Sequence, residues 1–134
     1  MVTPTAIHVI SLDQFGSTTA QISGSRRRAS IGPSLDISST IRGVLFEVEP
    51  RAQTEIHQHG EQETIAFVLS GRCEVRWGHK GEFSARAKTG DFIHVPAFLP
   101  HMKINPSQLA SFRWIVVHST PVPIVVNLPD TFWS

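Results

Sequence analysis

His57-Gln58-His59-Gly60-Glu61-Gln62-Glu63-Thr64-Ile65-Ala66-Phe67-Val68-Leu69-Ser70-Gly71 is the stretch on which the reading of this chain turns. On an extended strand, side chains two apart share a face, roughly 6.5–7 Å apart along the strand. The imidazoles of His57 and His59 can therefore converge on one ion. Gly60 permits a turn, and the strand that follows can bring Glu63 back beside them. Thr64–Leu69 is a continuous apolar run of strand length, closed by Ser70-Gly71. A His-x-His pair alone is weak evidence, so a further ligand has to come from elsewhere. His101, just after the rigid corner Pro96–Pro100, can supply it. Neutral imidazoles with a carboxylate suit one borderline divalent transition metal: Fe, Mn, Ni, Zn or Cu.

Outward from this stretch the chain reads as short strands separated by turns. Val44–Val48 is β-rich and ends before Pro50. Cys73, Val75 and Trp77 alternate with Glu74 and Arg76, which predicts one buried and one wet face. Gly78-His79-Lys80-Gly81 reads as a hairpin loop leading into Phe83–Lys88. Gly90-Asp91 turns the chain into Phe92–Val95, and the last clear strand is Phe112–Val117. Most prolines fall at strand ends or between strands, where a missing N–H is tolerated. No long segment has a 3.6-residue period, so the expected class is an all-β sandwich or barrel. Upstream of Arg42 the pattern is weaker. A short helix is expected near Leu12–Phe15. The run Arg26-Arg27-Arg28 reads as a solvated strand edge or loop, with a patch for an anionic partner as the alternative.

The 134 residues suffice for one domain and not for two cores. With 40% hydrophobic and 17% charged residues the chain is globular, and its net charge of +1 gives no electrostatic case for nucleic acid or membrane surfaces. Cys73, the single cysteine, closes no intramolecular disulfide and reads as a small buried hydrophobe. No membrane span or export signal is expected, which points to the cytoplasm. Phe67, Phe92, Phe98, Trp77 and Trp114 are expected to form core, with one or two lining an apolar pocket around the metal. His94 is a candidate cavity-lining proton carrier and Gln53 a second polar candidate; His79 reads as solvated and His118 as structural.

The sequence resembles the cupins, small double-stranded β-helix (jelly-roll) barrels. Their first motif runs Gly, five residues, His-x-His, three or four residues, Glu, about six residues, Gly. It is matched here by Arg51, His57, His59, Glu63 and Gly71. Their second motif runs Gly, five residues, Pro-x-Gly, two residues, His, three residues, Asn; Gly90, Pro96, Phe98, His101 and Asn105 match it. Three departures matter. Arg51 and Phe98 stand where the motifs carry glycine, and counting back from Gly71 lands on Thr64 rather than Glu63. The resemblance implies a metal held by His57, His59, Glu63 and His101, with Glu61 or a three-histidine site as the alternatives. It implies a cupin barrel over residues 42–129, a homodimer of the kind that often exchanges its N-terminal segment, here 1–41, and a tail 130–134. The function implied is metal-dependent chemistry on a small organic molecule, foremost as a dioxygenase or related oxidoreductase. The alternatives are a non-catalytic binding module and an isomerase, lyase or decarboxylase.

Overall fold

Period-two alternation dominates the folded chain. The computed structural model describes residues 6–16, 19–20, 25–32 and 35–134. Among the described residues eleven strands follow in order: β1 Thr19–Ala20, β2 Ser25–Ile31, β3 Arg42–Val48, β4 His57–Gln58, β5 Thr64–Ser70 and β6 Arg72–Trp77, then β7 Phe83–Lys88, β8 Phe92–Val95, β9 His101–Ile104, β10 Phe112–His118 and β11 Val126–Asn127. They form two antiparallel sheets, ordered β1-β2-β3-β10-β5-β8 and β11-β4-β9-β6-β7. The helix expected near Leu12–Phe15 is a single 3-10 turn, Leu12–Gln14.

Each strand presents every second residue to the space between the sheets, as its pleat requires. β3 contributes Val44, Phe46 and Val48, β5 contributes Ala66 and Val68, and β10 contributes Phe112, Trp114 and Val116. Cys73, Val75 and Ala87 answer from the other sheet. Phe112 and Trp114 meet edge to face, with ring centroids 5.0 Å apart. Gly71 makes the β5–β6 turn at φ +82, and a Cβ there would lie 2.7 Å from the Ser111 carbonyl oxygen. Only glycine fits that position.

Three core expectations fail. Phe92 and Phe98 are 73% and 64% exposed, and Phe67 is half-buried on the outward parity of β5. Inward parity on β8 belongs to Val95, which pairs with Thr64, so Phe92 falls on the opposite face and packs against Phe67 outside the barrel. Phe98 sits on the corner before β9 at φ +61. The arginine run also divides. Arg28 turns outward to the Leu12 carbonyl and the Phe15 ring, whereas Arg27 turns toward the Phe46 ring on the inner face.

Candidate metal centre

Strand pairing brings distant histidines together. His57 on β4 is the direct Cα partner of His101 on β9, and His59 follows two residues on with the same parity. One ligating atom from each of the three lies within 4.8 Å of the others. The chain between the two motifs is pinned as well, because the Phe98 N–H on the corner donates to the Gly60 carbonyl at 2.8 Å.

Backbone carbonyls set the imidazole tautomers. His57 Nδ1 lies 2.7 Å from the Glu55 carbonyl oxygen, His59 Nδ1 2.7 Å from that of Ile124, and His101 Nδ1 2.9 Å from that of Leu99. A carbonyl only accepts, so each Nδ1 carries the proton and each Nε2 keeps a lone pair. His57 Nε2 and His101 Nε2 are buried with no hydrogen-bond partner. Leaving such atoms unpaired costs about 1–3 kcal/mol each, and a cation at their meeting point satisfies them. Burial, then the charge of Lys103, holds His57 and His101 well below the ordinary imidazole range and His59 down to about 4. The neutral form is the one that ligates. The residues therefore fit a divalent metal.

Glu63 does not join the three histidines. Its side chain is 57% exposed, and its Oε1 lies 3.5 Å from His94 Nε2. The reason is parity: Thr64 begins the inward series of β5, which turns Glu63 outward. Glu61 is exposed too. Among the described residues, the carboxylate's expected place inside the barrel is held by Thr64, whose hydroxyl meets His118 Nδ1 at 2.9 Å. His118 is 3% exposed, and its ring centroid is 5.7 Å from that of His59. Burial, then Arg27, keeps it far below the ordinary range and neutral. The count back from Gly71 carried this signal, since it landed on Thr64.

A cavity of about 470 Å³ reaches His101 where the edge strands β7 and β8 of the two sheets part. Val75, Trp77, Ala87, Val95 and Leu99 line it, and His94 stands at its rim. Gln53 lies elsewhere, bridged to Ile104 in a separate groove with Arg76 and Trp133. Lys103, two residues past His101 on the same face, escaped the sequence reading. It is 5% exposed, and its Nζ lies 4.7 Å from the Trp114 ring centroid and 5.4 Å from that of Phe46. Burial lowers its ammonium to about 7.

A family model described as a cupin domain matches residues 44–118. No functionally curated protein matches the chain in sequence. Among solved structures it is similar to Lactobacillus farciminis oxalate decarboxylase in its formate complex, at 16% identity and a TM-score of 0.73, over 84% of this chain and 33% of that one. It is also similar to Bacillus subtilis oxalate decarboxylase, studied for its Mn(II) centres, at 22% identity and a TM-score of 0.70, over 83% of this chain and 32% of that one. The chain thus spans about a third of the length of these neighbours, and the likeness is one of fold. No helix among the described residues is long and apolar enough to cross a membrane.

Proposed function

Because this chain belongs to the cupin family and gathers three imidazoles at one interior point, we propose that it is a metal-dependent enzyme acting on a small organic molecule, foremost as a dioxygenase or related oxidoreductase. The observation that carries this reading is the pair of buried, unpartnered Nε2 atoms of His57 and His101 beside His59. His57, His59 and His101 would hold a divalent metal, which would supply Lewis acidity there and, as iron, redox chemistry.

The chain's own residues do the remaining work. Carbonyls of Glu55, Ile124 and Leu99 fix the imidazole orientation. Val75, Ala87 and Val95 exclude water from the cleft that ends at His101, which strengthens every electrostatic interaction inside. His94 shares the outward parity of Phe92 on β8 and meets the exposed Glu63, so it borders the cleft from outside and does not face the imidazoles. In this reading both atoms of O₂ enter the product, and the substrate supplies the electrons.

The structural neighbours favour a second reading, decarboxylation, in which the C–C bond to a substrate carboxylate breaks, CO₂ leaves, and the carbon left behind keeps the electron pair and takes up a proton. Metal analysis of anaerobically purified protein, with His57→Ala and His101→Ala alongside, tests the shared premise. Both variants are expected to lose the metal, and unchanged content in both overturns the site. With oxalate as the first probe substrate, oxygen consumed in step with substrate supports oxidation. CO₂ released without oxygen consumption supports decarboxylation instead.

A further inference from the structure

The inner space carries cations and no anion. Lys103 enters it from β9 in one sheet, and Arg27 and Arg42 from β2 and β3 in the other. Arg27 Cζ lies 5.6 Å from the Phe46 ring centroid and Lys103 Nζ lies 5.4 Å from the same centroid, so the two charges flank one ring. Neither side chain has a carboxylate or hydrogen-bond acceptor as partner among the described residues. Arg42 Nη1 is likewise buried without a partner. Arg42 is the Cα partner of His118, which places it at the imidazole end of the barrel.

The shortage of anions is complete. None of the eleven acidic residues of the chain is buried, and all eleven lie among the described residues. The carboxylate that would have faced the imidazoles points outward as Glu63. A divalent metal adds further positive charge to the same space. Lys103 is buried and Arg27 and Arg42 are half-buried; cations withdrawn from water without a counter-charge cost free energy that an anion among them would offset.

We propose that Arg27, Lys103 and Arg42 form an oxyanion subsite inside the barrel, and that the small molecule handled at the three-histidine centre carries a carboxylate or phosphate group held there. A guanidinium offers a planar fork of N–H donors that matches such a group bidentately. Lys103 adds a donor from the opposite sheet. The aromatic rings of Phe46 and Trp114 leave these donors without a competing acceptor. This proposal deepens the reading of the metal centre by naming its substrate class, and it rests on that reading for the second point of attachment.

The test is calorimetric titration of the full chain, metal-free and Mn(II)-loaded, with malonate and separately with inorganic phosphate. At least one probe is expected to bind, and Arg27→Gln is expected to weaken it at least tenfold. Arg28→Gln, on the outward face of the same strand, is expected to bind as wild type does. Lys103→Met replaces a buried cation by an apolar chain of similar reach; it is expected to bind at least tenfold more weakly while melting at a higher temperature. It serves as the deciding variant should Arg27→Gln not fold. Failure of both probes to bind wild type, or an unchanged affinity in the folded variants, overturns the proposal. Metal content measured on the same samples separates the two ideas. A metal that binds beside an Arg27-independent anion sinks only the subsite. An Arg27-dependent anion on protein that takes up no metal sinks only the metal centre.

Discussion

The barrel interior has two ends of equal dryness and opposite chemistry. At one end Val48, Val68, Cys73, Phe112 and Trp114 are all at or below 1% exposure. At the other, His57, His59, Thr64, His101 and His118 are at or below 4%, and Lys103, at 5%, joins the two, its Nζ 4.7 Å from the Trp114 ring centroid. The same strands build both ends: β10 gives Phe112 and Trp114 to the first and His118 to the second, and β5 gives Val68 and Thr64. Alternation therefore decides which residues go inside but not what they do there. The apolar end holds the sheets together, and the polar end spends part of that stability on groups waiting for partners.

Acid separates the two ends most sharply. His59 is held to about 4 in the folded protein, against about 6.5 in the unfolded chain, and His57, His101 and His118 are depressed as well. Below pH 6.5 the imidazoles of the unfolded chain take up protons that the folded ones refuse, so the imidazole contribution to stability is intact above that pH and falls beneath it. For His59 alone the loss between pH 7 and pH 5 is about 2 kcal/mol. Metal-free protein is thus expected to lose several kcal/mol over that interval by urea denaturation, and an unchanged midpoint would show that the imidazoles are not dry.

The apolar end is broken by Trp114→Ala, which removes a 1%-exposed side chain packed on Phe46 and Phe112. A loss of about 3–5 kcal/mol is expected at pH 7. It should appear equally with and without metal, because the ring lies outside the histidine cluster. A loss under 1 kcal/mol would mean that the two ends do not divide the labour as stated.

Metal removal acts on the other end alone. At a free metal concentration 100–1,000 times the dissociation constant, binding stabilises the folded state by roughly 3–4 kcal/mol. A chelator should lower wild-type stability by that amount and leave His57→Ala untouched. An equal response of the two proteins would count against His57 as a ligand.

How much of this was legible follows from the same division. The succession of strands from Arg42 onward, the inward series of β6 and the meeting of His57, His59 and His101 were carried by alternation and by the two motifs. Glu63 was misplaced because identity outweighed parity: a carboxylate one residue from the inward position looked like a ligand, although the spacing to Gly71 pointed to Thr64. Arg27 was hidden inside a run of three arginines that reads as solvated, and its inward turn depends on pairing with Phe46 across β2 and β3. Lys103 followed His101 by two and shared its face, but lysine is so seldom buried that composition argued the other way.

The smallest expected effect lies at the turns that feed the polar end. Arg51 and Phe98, where the motif carries glycine, adopt φ +64 and +61. For a side chain with a Cβ this region costs on the order of 1–2 kcal/mol. Glycine removes that strain but gives the unfolded chain more freedom, an opposing effect of about 0.4–1 kcal/mol. The backbone bonds survive either change, since Arg51 N–H to Ser107 and Phe98 N–H to Gly60 involve no side chain. What Arg51→Gly loses is one exposed hydrogen bond to Gln108 Oε1, worth little. Each glycine variant is therefore expected to be more stable by up to about 1 kcal/mol, with metal content unchanged. If Phe98→Gly instead loses metal while Arg51→Gly does not, the exposed ring holds the corner that aims His101, and the polar end reaches further out than its buried residues indicate.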